Sequence, residues 1–98
     1  MILEVVHWNI KEGKESDFES AFAQAEVILA SMGGYIDHQL QKCIENPRRY
    51  ILLVRWQTLE DHTKGFQQSD QYQHYKALIV PYFEPGTTLE HFSLVAPG

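Results

Sequence analysis

Tyr50 to Gln57 reads Y-I-L-L-V-R-W-Q, and this stretch decides the fold. A β-strand that is wet on one side alternates apolar and polar residues, because successive side chains point to opposite faces. Here Tyr50, Leu52, Val54 and Trp56 share one face, and Ile51, Leu53 and Arg55 share the other. Both faces are largely apolar, so the strand belongs in the middle of a sheet that is covered on both sides. A chain of 98 residues has helix enough for one side of a small sheet and little for the other. The remaining face calls for a second copy of the chain or a ligand.

Working outward, Met1 to Ile10 (M-I-L-E-V-V-H-W-N-I) is a first strand, with Val6, Trp8 and Ile10 toward helices and Val5, His7 and Asn9 on the other side. Lys11-Glu12-Gly13-Lys14 makes a turn. Ser16-Asp17-Phe18-Glu19 has the form of a capping box, Ser at the N-cap and Glu three residues on. The helix after it carries Phe18, Ala21, Phe22, Ala25, Ile28, Leu29 and Met32 at spacings of three and four, and Gly33-Gly34 ends it. Tyr35 to Ile44 reads as an edge strand, with Ile36, His38, Leu40, Lys42 and Ile44 on the more apolar face. Glu45-Asn46-Pro47-Arg48 turns it back into the central strand as a hairpin.

Thr58-Leu59-Glu60-Asp61 predicts an N-cap with acids in the first turn, opening a short helix with Leu59, His62 and Phe66. Ser69-Asp70 caps a second helix through about Ile79, whose apolar positions are Tyr72, Tyr75, Leu78 and Ile79. Pro81 and Glu84-Pro85-Gly86 stop it. Thr88 to Val95 is a last edge strand. The order β-α-β-β-α-β with right-handed crossovers gives an α+β, ferredoxin-like fold: one four-stranded antiparallel sheet in the order four-one-three-two, both helices on one face.

The length allows one domain, residues 1–98, and the 44% apolar content is that of a globular chain. With net charge −5 and no basic run, neither nucleic acid nor an anionic membrane surface is an expected partner. No apolar run approaches the ~20 residues of a membrane span. No charged leader precedes an apolar stretch, and the lone Cys43 fits a cytoplasmic location. The apolar sheet face left by the helices predicts a homodimer. Leaving each large side chain wet would forgo ~1.5–3 kcal/mol.

Among chemically capable residues, His62 is the first candidate, since an imidazole changes charge near neutral pH and can take or return a proton. The alternative is a surface or capping histidine. Trp56 can set its indole N–H against a substrate oxygen, or be a core tryptophan. Tyr72 and Tyr75 can orient a phenol or carbonyl, or simply pack. His7, Asn9, His38 and His91 stand on strands and are read as lining one face, with sheet packing or dimer contact as the alternative. No paired-His, H-E-x-x-H or Cys/His spacing suggests a metal site. No glycine-rich phosphate loop suggests a nucleotide, so no cofactor is expected.

The stretch Y-I-L-L-V-R-W-Q-T-L-E-D-H-T-K-G-F-Q-Q-S-D-Q-Y, with the chain from there to the final strand, resembles the antibiotic biosynthesis monooxygenase domain of the dimeric α/β-barrel superfamily. The most specific part is W-x-x-L-E-D-H-T-x-G-F-x-x-S-x-x-Y, from Trp56 to Tyr72. The resemblance implies a substrate pocket between helices and sheet, lined by Trp56, His62, Phe66 and Tyr72. Tyr75, Asn9 and His91 are added from the residue reading. It also implies a cofactor-independent monooxygenase acting with O2 on a small quinol-like or polyketide-like aromatic, with His62 removing a proton and Trp56 holding an oxygen. A non-catalytic, stress-related ligand-binding dimer and the processing of a small signalling sugar are the alternatives. Haem-degrading members resemble an Asn, Trp, His triad. Here Phe66 and Lys76 stand where the Trp and His are expected, and Asn9 is offset from Gly13, so haem degradation is not implied.

Overall fold

The computed structural model describes residues 1–98. Strand β1 (Ile2–Asn9) leads into helix α1 (Glu15–Ala30), the hairpin β2 (Tyr35–Lys42) and β3 (Arg49–Trp56), then a π-helical turn (Asp61–Phe66), helix α2 (Asp70–Ile79) and strand β4 (Thr88–Phe92). The sheet is antiparallel in the order β2-β3-β1-β4, the expected order read from the other edge. No helix is long and apolar enough to cross a membrane.

Alternation along β3 is strict: Tyr50, Leu52, Val54 and Trp56 are buried toward the helices, while Ile51 and Leu53 are half-buried and Arg55 exposed on the other face. Val6, Trp8 and Ile10 complete the helix-side floor. Phe18, Phe22, Ala25 and Leu29 of α1 press on it, as do Tyr75 and Ile79 of α2. Two period-two faces and two helical stripes thus meet in a single core, which is why the pattern was readable.

The boundaries depart from expectation at several places. Helix α1 starts at Glu15, with Lys14 at the N-cap and no side-chain cap, so Ser16 lies inside the first turn and the capping box is unused. Gly13, at φ +76, turns the chain early. Glu15 and Asp17 then face the helix dipole instead. Strand β2 ends at Lys42 rather than Ile44. A bulge between Tyr35 and Asp37 gives the inward place to Tyr35 and leaves Ile36 exposed. Strand β4 ends at Phe92, beyond which Leu94 and Val95 are exposed.

Gly34 joins α1 to β2 under two constraints. Its φ is +81, and a Cβ there would lie 2.2 Å from the Asp61 carboxyl carbon. That carboxylate accepts from the Thr58 N–H (3.1 Å) while Thr58 Oγ1 accepts from the Asp61 N–H (3.1 Å), a reciprocal cap at the entry to the π-helical turn. Ser69 caps α2, its Oγ accepting from the Tyr72 N–H at 3.2 Å.

Candidate functional site

Period two puts Glu4 on the same face of β1 as Val6 and Trp8, and its side chain is buried there at 5% exposure. Directly across the sheet from it stand Val54 on β3 and His91 on β4. Glu4 Oε1 accepts from the Trp56 indole N–H at 2.9 Å and lies 3.3 Å from His62 Nε2. His62 Nδ1 is in turn 2.7 Å from His91 Nε2. A buried carboxyl and two imidazoles therefore form one continuous chain across β1, the π-helical turn and β4.

The π-helical turn sets this up. The wider turn, opened by the Thr58–Asp61 cap, carries both His62 and Phe66 to the sheet, where both are buried. His62 and Phe66 are four residues apart and would share a face of an ordinary helix too; the wider turn changes their aim, and such turns recur at functional sites. The His62 ring stacks on Trp56 at 5.3 Å between centroids, and Phe66 packs edge-on to Tyr72 (5.0 Å) and Tyr75 (5.2 Å).

His62, Phe66, Tyr72 and Tyr75, but neither Trp56 nor His91, wall a cavity of about 210 Å³ between the sheet and α2. Glu4, His62, Phe66, Tyr72, Tyr75 and Lys76 line it, and apart from Thr87 its remaining wall is apolar, including Trp8, Leu29, Phe83 and Leu89. Glu4 Oε2 makes no hydrogen bond within the protein. Since no buried side-chain oxygen or nitrogen lacks a partner, this oxygen keeps some accessible surface, and Glu4 is one of the residues that line the cavity.

Burial pushes the Glu4 carboxyl up to about 7, against the opposing pull of the Trp56 N–H, which favours the anion. Burial also holds His62 down to about 4, helped by the neighbouring His91. Near neutrality the carboxyl is thus the group that titrates and His62 stays a neutral imidazole. Burial raises Tyr72, and raises Tyr75 well above its ordinary value, so both keep their hydroxyl protons.

Of the residues singled out in the sequence, Trp56, His62, Phe66, Tyr72, Tyr75 and His91 come together here. Asn9 does not. It has the parity of Val5 and His7 on the uncovered sheet face, and its carbonyl accepts from the Glu84 N–H at 2.7 Å. The four strand residues read as one set divide accordingly. His38 lies apart on the helix side of β2, bonded to Glu26 (2.7 Å) and the Tyr35 hydroxyl (2.5 Å). Trp56 is fully buried and its N–H is engaged by Glu4, so it orients the carboxyl and has no N–H left for a substrate oxygen. Glu4 itself was missed. The signal was present: one acid at the apolar parity of a central strand, which has no place there without a partner. No three His, Cys, Asp or Glu side chains converge as metal ligands would.

Residues 1–78 match the family model of the antibiotic biosynthesis monooxygenases. The chain is 51% identical over 92 residues to the uncharacterized protein YczJ of Bacillus subtilis, covering 94% of this chain and 97% of that one. A putative antibiotic biosynthesis monooxygenase of Bordetella bronchiseptica superposes with TM-score 0.92 at 32% identity over 97% of each chain. The cofactor-independent oxygenase SnoaB of Streptomyces nogalater shares the fold, with TM-score 0.85 at 14% identity, over 98% of this chain and 94% of that one.

Proposed function

Because the chain belongs to the antibiotic biosynthesis monooxygenase family, we propose that it is a cofactor-independent oxygenase acting on a single-ring hydroquinone or phenol, with Glu4 as its base. One observation carries this reading: a glutamate lining a mostly apolar cavity keeps a carboxyl oxygen that is free of protein partners and not fully buried, on a group whose proton is exchangeable near neutral pH. A cavity of about 150 Å³ already admits benzene, so about 210 Å³ suits one substituted ring. The apolar walls disfavour a sugar.

Glu4 Oε2 takes the hydroxyl proton, and the electron-rich anion reacts with O2 at the adjacent ring carbon. Glu4 returns the proton to the peroxide, and loss of water leaves one oxygen on the ring as a carbonyl. The protein's contribution is the desolvated base, the Tyr72 and Tyr75 hydroxyls at the wall, and the exclusion of bulk water. His62 and Trp56 act as positioning residues for the carboxyl.

The uncovered sheet face supports a homodimer. Leu3, Val5, Ile51 and Leu53 lie half-buried there. Phe92 adds a side chain 47% exposed, and an apolar groove runs between Met1, Leu3, Phe92, Leu94 and Val95. A second copy across this face would cover it symmetrically.

The test is O2 uptake with a panel of monocyclic hydroquinones, with product labelling from 18O2. Expected are uptake by the wild type, one labelled oxygen per product, and a loss of roughly 10²–10⁴-fold in Glu4→Gln. Binding without O2 consumption, or a Glu4→Gln variant that turns over like the wild type, would discard the reading.

A further inference from the structure

His62 and His91 do more geometrically than hold a carboxyl in place. The contacts Glu4 Oε1–His62 Nε2 (3.3 Å) and His62 Nδ1–His91 Nε2 (2.7 Å) run in series from the cavity to the edge strand β4. His91 Nδ1 has no partner within the protein, and because no buried side-chain nitrogen is unpaired, this last nitrogen meets solvent. We propose that Glu4, His62 and His91 form a proton path through which the cavity carboxyl equilibrates with water at the edge of the sheet, even when a ligand fills the cavity. The proposal deepens the oxygenase reading and takes Glu4 as its base from there.

Each neutral imidazole carries one N–H and one lone pair, so a single donor-to-acceptor direction runs along the Glu4–His62 contact and the His62–His91 hydrogen bond in each state. With Glu4 protonated, its O–H faces His62 Nε2 across the 3.3 Å contact, His62 Nδ1–H donates to His91 Nε2, and His91 Nδ1–H faces water. With Glu4 ionised, the order reverses: His62 Nε2–H points at the carboxylate across the same contact, His91 Nε2–H donates to His62 Nδ1, and His91 Nδ1 accepts from water. The two states differ by one proton, and three short hops convert the first into the second. These are Glu4 to His62 Nε2, His62 Nδ1 to His91 Nε2, and His91 Nδ1 to solvent. No ring has to become doubly protonated in either end state, which agrees with a His62 that burial keeps neutral.

The other groups facing Glu4 do not compete. Helix α2 presents Tyr72 and Tyr75, both of which keep their protons, and the Lys76 ammonium, which sits over the Tyr72 ring at 4.9 Å. Helix α1 presents only apolar Leu29, and β3 presents Val54 and the Trp56 N–H, a donor to Glu4 in both states. Only the histidines continue the chain outward.

The test is made on ligand-free protein labelled with 15N in histidine and 13C in the glutamate carboxyl, followed by NMR through the neutral range. His62 should exchange its proton-bearing nitrogen from Nδ1 to Nε2, and His91 from Nδ1 to Nε2. Both changes should share the midpoint of the Glu4 carboxyl titration. In Glu4→Gln both rings should stay in one tautomer across the same range. Unchanging tautomers in the wild type, midpoints that differ from that of Glu4, or an unaltered exchange in Glu4→Gln would each overturn the path. If the variant does not fold, the coincidence of the three wild-type midpoints decides alone. Because no substrate or O2 is involved, absence of oxygenase activity would leave this result standing, and its failure would leave the activity test untouched.

Discussion

Replacing Glu4 by Gln tests the desolvated carboxyl directly, through stability. Gln preserves the shape and the oxygen that accepts from the Trp56 N–H, and removes the ionisation. The Glu4 carboxyl rises from 4.5 to about 7 in the folded protein, and each pH unit of such a rise is worth about 1.4 kcal/mol. The sign comes from the raised value. Below about pH 4.5 the folded and unfolded chains are both protonated at this site, and no penalty exists. Between there and about pH 7 the unfolded chain ionises first, so the wild type loses stability as pH rises, reaching the full cost of about 3 kcal/mol above the folded value. Urea unfolding of both proteins near pH 5 and near pH 8.5, at one protein concentration, gives a difference of differences in which constant effects of the substitution cancel. Glu4→Gln should gain about 2–3 kcal/mol on the wild type between these two conditions. His62, whose value is lowered by burial, has the opposite slope: its contribution is lost as pH falls below that of a free imidazole. It nearly cancels, because near pH 5 the folded Glu4 carboxyl is protonated and as uncharged as Gln, and near pH 8.5 His62 is neutral folded and unfolded alike. A relative change below about 0.5 kcal/mol would refute a buried, desolvated Glu4, and the catalytic role with it.

Three further perturbations separate the parts of the molecule. Trp56→Phe removes the N–H that favours the Glu4 anion. The carboxyl should then titrate at higher pH, with a stability loss of about 1–3 kcal/mol at neutral pH, read by carboxyl NMR and urea titration. Gly34→Ala meets both the positive φ and the Asp61 carboxylate and should lose more than ~1 kcal/mol; a neutral result in urea would show that the junction yields. Leu53→Glu puts a charge at the centre of the uncovered face while leaving the core intact. Light scattering should find a mass twice the 11.4 kDa chain for the wild type and one chain for the variant, whereas equal masses would reject pairing through this face.

The strands and helices were legible because each is written in its own period. Tyr50, Leu52, Val54 and Trp56 at intervals of two, and Phe18, Phe22, Ala25 and Leu29 at intervals of three and four, name their buried faces without reference to one another. Element ends were not legible. The unused Ser16 cap and the outward Ile36 were decided by a glycine turn and a bulge, where several nearly equal local solutions compete and the neighbouring element chooses.

The candidate site divides in the same way. From sequence, Trp56, His62, Phe66 and Tyr72 can be placed on adjoining segments, and the resemblance groups them. That Glu4, more than fifty residues earlier in the chain, is the carboxyl that Trp56 and His62 hold depends on the pairing of β1 with β3 and β4. Sequence alone also assigned the proton chemistry to His62, because an isolated imidazole titrates near neutrality and an isolated glutamate does not. Burial reverses that order, lowering the histidine and raising the acid. Residue identity determines which groups can exchange protons, but the surroundings that decide which one does so near pH 7 exist only once distant strands have been brought together.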